Sequence, residues 1–425
     1  MVAYVLVATA VVILLPYLLS RWRISWFLYV LCMISNGIGF NVAGAVVRPE
    51  HLGIVFLLAA VVGQRRETPE VRRHRISPWI WVSLSSWLLF AGIASIFRSP
   101  QPVSSLYIIV WTAASIFALM VTLRYMEKRE ELVTVGTYAI GLVSALSLLS
   151  WAANQTLGLH FPLTISDTGD AFVRIVGLSF EPNIMGAICC LWFALVLYWR
   201  ERLARRVLVI SIVIAMAGVL TMTRATWFSL GIILLLTLLR RRKPVTQNIV
   251  GVFLISLTVI LSMGSGGPTW LLPLLDRASS IFTLDSGTAA FRITSWRLAF
   301  SDIQSNDSIL TGLGSNSFSQ RHGDLVSTAR IDYLSNAWIA QLYDSGLIGL
   351  TLLLVGLFAL WRRTSTPIES LGFFLGLGAT SALTSSIWFA FPWVFMALFD
   401  SGENPKSNSL REMIYEKKRP LSIRF

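Results

Sequence analysis

Long apolar runs alternate with short polar breaks along most of the chain, and many of the runs are long enough to cross a bilayer. A spanning helix needs about 20 mostly apolar residues. On that measure the pattern predicts spans near 2–20, 24–46, 51–63, 77–97, 103–122, 132–154 and 184–199. Further spans are predicted near 207–222, 225–239, 248–264, 336–360, 367–384 and 386–399. The runs at 51–63 and 386–399 are short enough to be re-entrant. The expected fold is all-α, a polytopic membrane helix bundle of about 12–13 spans with one large outer-face loop containing short helices.

This pattern divides the chain into N-terminal transmembrane helices over 1–154 and central transmembrane helices over 155–264, with an outer loop at 155–183. A large loop follows over 265–335, then C-terminal transmembrane helices over 336–399 and a basic tail over 400–425. Long loops in compact proteins are uncommon unless functional, so the chemistry is expected on the face carrying the 265–335 loop.

Composition sharpens the class. The 425 residues are 55% hydrophobic and only 13% charged, and the mean hydropathy is +0.68. A soluble domain carries about a quarter charged residues, and single apolar cores stop growing near ~250–300 residues. The surplus therefore has to face lipid. The net charge of +13 would suit nucleic acid, but Lys and Arg lie in short clusters between apolar runs, which is how membrane chains mark cytoplasmic loops. Nucleic acid is not an expected partner. Membrane lipid is, including anionic lipid at the basic loops. Cys32, Cys189 and Cys190 fall inside apolar runs and read as buried small hydrophobes. Residues 2–20 lack a basic lead and a small-residue cleavage site, so they read as a first span rather than a signal peptide.

Neither a nucleotide-binding loop, a zinc spacing nor a nucleophile elbow occurs, and no cofactor is expected. Four constellations carry the remaining chemistry. In Arg174-Ile-Val-Gly177 to Glu181-Pro182-Asn183 and Gly186, Pro182 suits the first position of a helix, with Glu181 just before it. This reads either as a helix cap with a surface ion pair or as the edge of a polar pocket, since carboxylates at a membrane mouth are costly unless paired. In Thr221-Met-Thr223-Arg224, Arg224 lies between two apolar runs. It is either a snorkelling arginine or a guanidinium fixed to bind phosphate bidentately.

The third runs from Phe291-Arg292 through Trp296 to Ile303. Apolar residues at 293, 296, 300 and 303 predict an amphipathic helix lying on the membrane surface, with Arg292 and Trp296 on one face. The fourth begins where the large loop re-enters the membrane, with Asn336, then Gln341, Asp344, Gly346 and Gly349. Asn336 and Asp344 share a helix face. An acid inside a span is either a functional group or a structural hydrogen bonder.

In this order and spacing, with Gly312-x-Gly314 after the third, the landmarks resemble the bacterial O-antigen ligase and polymerase superfamily. The resemblance covers roughly residues 170–350, while the N-terminal spans are similar only in hydropathy. It implies a metal-independent glycosyltransferase of the bacterial cytoplasmic (inner) membrane with its active site facing outward. The substrate implied is an undecaprenyl-diphosphate-linked glycan, the reaction inverts the anomeric carbon, and a chain-length regulator is a possible partner. Arg224 and Arg292 would neutralise the diphosphate leaving group, supplemented by Arg174. Asn183, Trp296, Asn336 and Asp344 would contact substrate.

The ligase branch usually has His-Asn where this chain has Ser335-Asn336, and serine is no general base near neutral pH. His322, Asp332 and Glu181 are the alternatives, with His322 favoured by its intrinsic pKa. That departure points to a polymerase of O-antigen, capsule or exopolysaccharide repeat units. A ligase acting on lipid A core, and a transporter of lipid-linked oligosaccharide, are the competing expectations. A transporter would be expected to carry mid-membrane ionisable groups in several spans, whereas here only Asp344 qualifies.

Overall fold

The computed structural model describes residues 17–42, 45–67, 76–166, 173–239, 288–323, 334–364 and 367–399. The predicted span at 248–264, most of that at 2–20, the tail and Asp332 lie outside them. The described chain is a bundle of α-helices with two short hairpins. Five helices among the described residues are long and apolar enough to cross a membrane. Bulky apolar side chains such as Leu89, Phe97, Val103 and Phe358 stand exposed on the flank of the bundle, as a lipid-facing surface requires.

The helices are α1 (Trp22–Ile34), α2 (Pro49–Leu52), α3 (Ile54–Glu67), α4 (Pro78–Arg98), α5 (Pro102–Tyr125), α6 (Arg129–Leu157) and α7 (Pro182–Trp199). Then come α8 (Arg205–Val219), α9 (Arg224–Leu239), α10 (Thr288–Ser305), α11 (Ser317–Arg321), α12 (Ala337–Arg362), α13 (Pro367–Leu383) and α14 (Ala390–Ala397). Proline stands at the start of α2, α4, α5 and α7. There its fixed φ is already helical and its missing N–H leaves no helical bond unmade.

The expected span at 24–46 ends early. α1 stops at Ile34, and β1 (Phe40–Val42) pairs antiparallel with β2 (Ala45–Val47), Phe40 opposite Val47. A valine-rich apolar run with Gly39 before it and Gly44 within it suits a strand as well as a span. A second hairpin, β3 (Thr164–Ser166) with β4 (Val173–Ile175), sits in the 155–183 segment. The short run at 386–399 forms a 3-10 turn, Ser386–Trp388, and the eight-residue α14.

α7 is buried along nearly its whole length and packs against α6, α8, α9, α13 and α14. One end of the bundle is marked by ion pairs: Arg23 to Glu131 at 2.6 Å, Lys128 to Glu67 at 3.7 Å and Arg202 to Glu130 at 2.9 Å. Being largely exposed, they contribute little to stability. α7 and α6 both start or finish at that end. With 18 and 29 residues, they rise about 27 and 44 Å from it. Glu181 stands at the far end of α7 from these ion pairs.

α12 is two helices merged across a break at Gly346, whose φ is 64° and ψ −171°. The segment 309–314 fills the break. Leu313 N–H donates to Tyr343 O (2.7 Å) and Gly314 N–H to Asp344 O (2.9 Å), while Leu347 N–H donates to Ile309 O (2.8 Å) and Ile348 N–H to Leu310 O (3.3 Å). Two carbonyls and two amides at the Gly346 break are thus taken up by one neighbouring stretch of chain, as an irregular backbone at membrane depth requires.

Candidate functional site

At the end of the bundle away from the ion pairs, β4 lies beside the α8–α9 turn. Ile175 N–H donates to Leu220 O and Arg174 Nε to Thr221 O, both at 3.1 Å. That turn places Thr221, Thr223 and Thr226 in one buried hydroxyl chain, Thr221 to Thr223 at 3.1 Å and Thr223 to Thr226. Gly186 of α7 rests directly on it. A Cβ at Gly186 would drive into Thr226 Oγ1 and sit 2.9 Å from both Thr221 and Thr223 Oγ1. Only glycine lets α7 come this close.

Arg224, half-buried, opens α9 from the same turn. Arg174 and the Arg224 turn, distant in sequence, are thereby brought together. A helix N-terminus beginning with an arginine and preceded by threonines is a setting for an anion.

Glu181 occupies the N-cap position of α7 without capping it. Its Oε1 accepts from Thr384 Oγ1 at 2.9 Å and from Asn183 Nδ2 at 3.4 Å. Glu181 and Asn183 are therefore a pair, tied to the loop after α13.

α10 appears where the helical spacing put it, but its buried face is not the expected one. Ser295, Ala299 and Ile303 are buried while Phe300 is half exposed. Ala299 and Ile303 pack with Leu313, Phe318, Leu334, Ala340 and Tyr343, with Trp296 at the edge. The helix is docked on α12 through protein contacts rather than resting by that face on lipid. Arg292 shares the Trp296–Ala299–Ile303 face by its i, i+4, i+7 spacing.

His322 makes no bond to Glu181. Its Nε2 is 2.7 Å from Asp302 Oδ2, which also accepts from Tyr343 Oη at 2.6 Å. A carboxylate holding one imidazole nitrogen fixes the ring and leaves the other for proton exchange. Asp302 and Tyr343 were missed as site residues because twenty and forty-one positions separate them from their partners, a distance no local pattern reports.

Asn336 caps α12, accepting from Trp338 and Ile339 N–H at 3.0 Å each. Those bonds occupy its Oδ1. Asp344 is buried beside the break, 2% exposed.

A further group escaped the sequence reading. α2 carries Arg48-Pro49-Glu50-His51, between two apolar runs. Glu50 is buried, and its Oε2 accepts from Ala390 N–H at 3.1 Å. Arg48 lies over the rings of Phe180 and Phe389 and 3.9 Å from Glu50 Oε1. His51 stacks on Trp111, and Glu50 and Tyr29 line a small cavity with it. Three polar residues around a proline between apolar runs were the available signal.

Burial pushes the Glu50 carboxyl up to about 7, against the lowering effects of the Ala390 amide and Arg48. The folded state favours the protonated form, so the stability it supplies is full below the unfolded value near ~4.3 and is lost as pH rises through about 7. The melting temperature should fall between pH 5 and 8.5, and Glu50→Gln should flatten that slope. Equal slopes in the two proteins would refute the role of Glu50.

Fold and polar end together define an all-α, membrane-embedded helix bundle with arginines, threonines and a carboxylate at one end. Neither the family models nor the curated proteins compared with this chain match it.

Proposed function

We propose that the protein is a membrane glycosyltransferase that moves an undecaprenyl-diphosphate-linked oligosaccharide onto an acceptor sugar hydroxyl, polymerising O-antigen, capsule or exopolysaccharide repeat units. The observation that carries this reading is the threonine-lined turn, which holds Arg174 by its Nε and starts α9 with Arg224. Such a pair suits a diphosphate leaving group, whose charge grows as the glycosidic bond breaks. Each fixed donor there is worth about 3–4 kcal/mol. Arg292 on α10 would add to this.

The acceptor hydroxyl must lose a proton as it attacks the anomeric carbon. His322, held by Asp302, would take it, and the leaving diphosphate departs with the bonding electron pair. Glu181 with Asn183 and Thr384 offers hydrogen-bonding groups to sugar. The sidedness of the basic clusters supports a site facing outward from a bacterial cytoplasmic membrane.

The test is the purified protein with a synthetic undecaprenyl-diphosphate oligosaccharide in EDTA, products read on a gel. A ladder of longer lipid-linked glycans is expected, lost in His322→Ala. Glycosylation of an added lipid A core glycolipid without any ladder would make the protein a ligase instead. No product in either reaction would sink the glycosyltransferase reading and favour transport.

A further inference from the structure

The Asp344 carboxyl, expected from the resemblance to contact substrate, is buried at 2% exposed and takes no part in the transfer step proposed above. The Asn316 backbone N–H lies beside this carboxyl. Its Oδ2 has no hydrogen-bond partner among the described residues, and none of their ion pairs involves it. A carboxylate removed from water is costly unless something positive balances it.

The two residues flanking Asn316 carry the complementary groups. Ser315 and Ser317 are fully buried, and their hydroxyl oxygens also have no partner among the described residues. The backbone of Ser315 is pinned, its N–H to Ser95 Oγ at 2.9 Å and its carbonyl to Ser105 Oγ at 2.6 Å. Segment 315–317 is therefore fixed against Asp344 by bonds that do not use these hydroxyls. One carboxylate oxygen and two hydroxyl oxygens are hard donors of the kind that hold a monovalent cation. A divalent ion asks for more carboxylates.

We propose that Asp344, Ser315 and Ser317 bind one Na⁺ ion, which holds the 309–317 segment onto the broken helix. The site stands apart from the arginine-bearing turn, and its test does not depend on glycosyl transfer.

The test is thermal unfolding of the full-length protein in detergent, with NaCl exchanged for choline chloride at constant ionic strength, together with equilibrium binding of ²²Na⁺. Melting temperature should rise and saturate with Na⁺, by about 3 °C at roughly ten times the dissociation constant, with one ion bound per chain. Asp344→Asn should be indifferent to Na⁺ while melting in choline no lower than the wild type. Ser317→Ala should move the Na⁺ midpoint upward, which keeps the test decisive if the Asp344 variant fails to fold. A melting temperature independent of Na⁺, or an unchanged Na⁺ response in Asp344→Asn, overturns the proposal.

Discussion

Gly346→Ala should leave little folded protein. The residue has φ 64° and ψ −171°, a region that side-chain-bearing residues scarcely enter. An added Cβ would also drive into Leu310 O and lie 2.5 Å from Thr311 N. Neither can yield, because Leu310 O is the acceptor for Ile348 N–H. Relief would require opening the exchange between 309–314 and 343–348, stranding backbone groups where water is scarce. Strain and lost bonds together come to at least about 4 kcal/mol, a large part of the stability of an ordinary domain. The measurement is size-exclusion recovery and melting temperature. A variant that elutes and melts like the wild type would show that the break does not matter. Gly312→Ala should behave alike, since φ there is 73° and its Cβ would lie 2.5 Å from the Asp344 carbonyl.

Arg224→Ala should reduce ladder formation about 10²–10³-fold while shifting the melting temperature little. The side chain is half-buried and stands in the first turn of α9, so its truncation leaves the helix ladder and the threonine chain intact. Arg224→Lys should recover only part of the rate, because an ammonium lacks the planar fork that grips two phosphate oxygens. Initial rates of chain extension at saturating substrate decide this. A wild-type rate in Arg224→Ala would remove the charge-neutralising role and with it the strongest support for a diphosphate donor.

The long central helices were legible because each is an apolar run bounded by distinct signals. α4, α5, α6 and α7 lie within a few residues of the spans expected at 77–97, 103–122, 132–154 and 184–199. Proline marks the start of three of them and charge the end of α4. The β1–β2 hairpin was not legible, since its valines suit lipid, core and strand equally. The break in α12 hid for another reason: one glycine inside an apolar run costs a helix only ~1 kcal/mol, so Gly346 alone announces nothing. Its meaning lies in Gly312 and Gly314, thirty residues earlier, against the same backbone.

The site was readable in part. Arg174, Glu181 and Arg224 were marked as polar groups beside apolar runs, and the resemblance ordered them. Gly186 was recorded as a landmark, while its reason, the three hydroxyls beneath it, belongs to another part of the chain. Asn336 drew attention for its place at the membrane re-entry, and the same place explains its capping bonds. Asp302 and Glu50 were passed over because their partners, His322 and Ala390, are joined to them only by folding.

The exchange at Gly346 also constrains how the chain can be made. In the finished fold the amides of Leu347 and Ile348 are satisfied outside their own helix, and leaving them bare in lipid is costly. Their acceptors, Ile309 and Leu310, have already been synthesised. The broken form of α12 is thus completed only by docking onto a segment made before it.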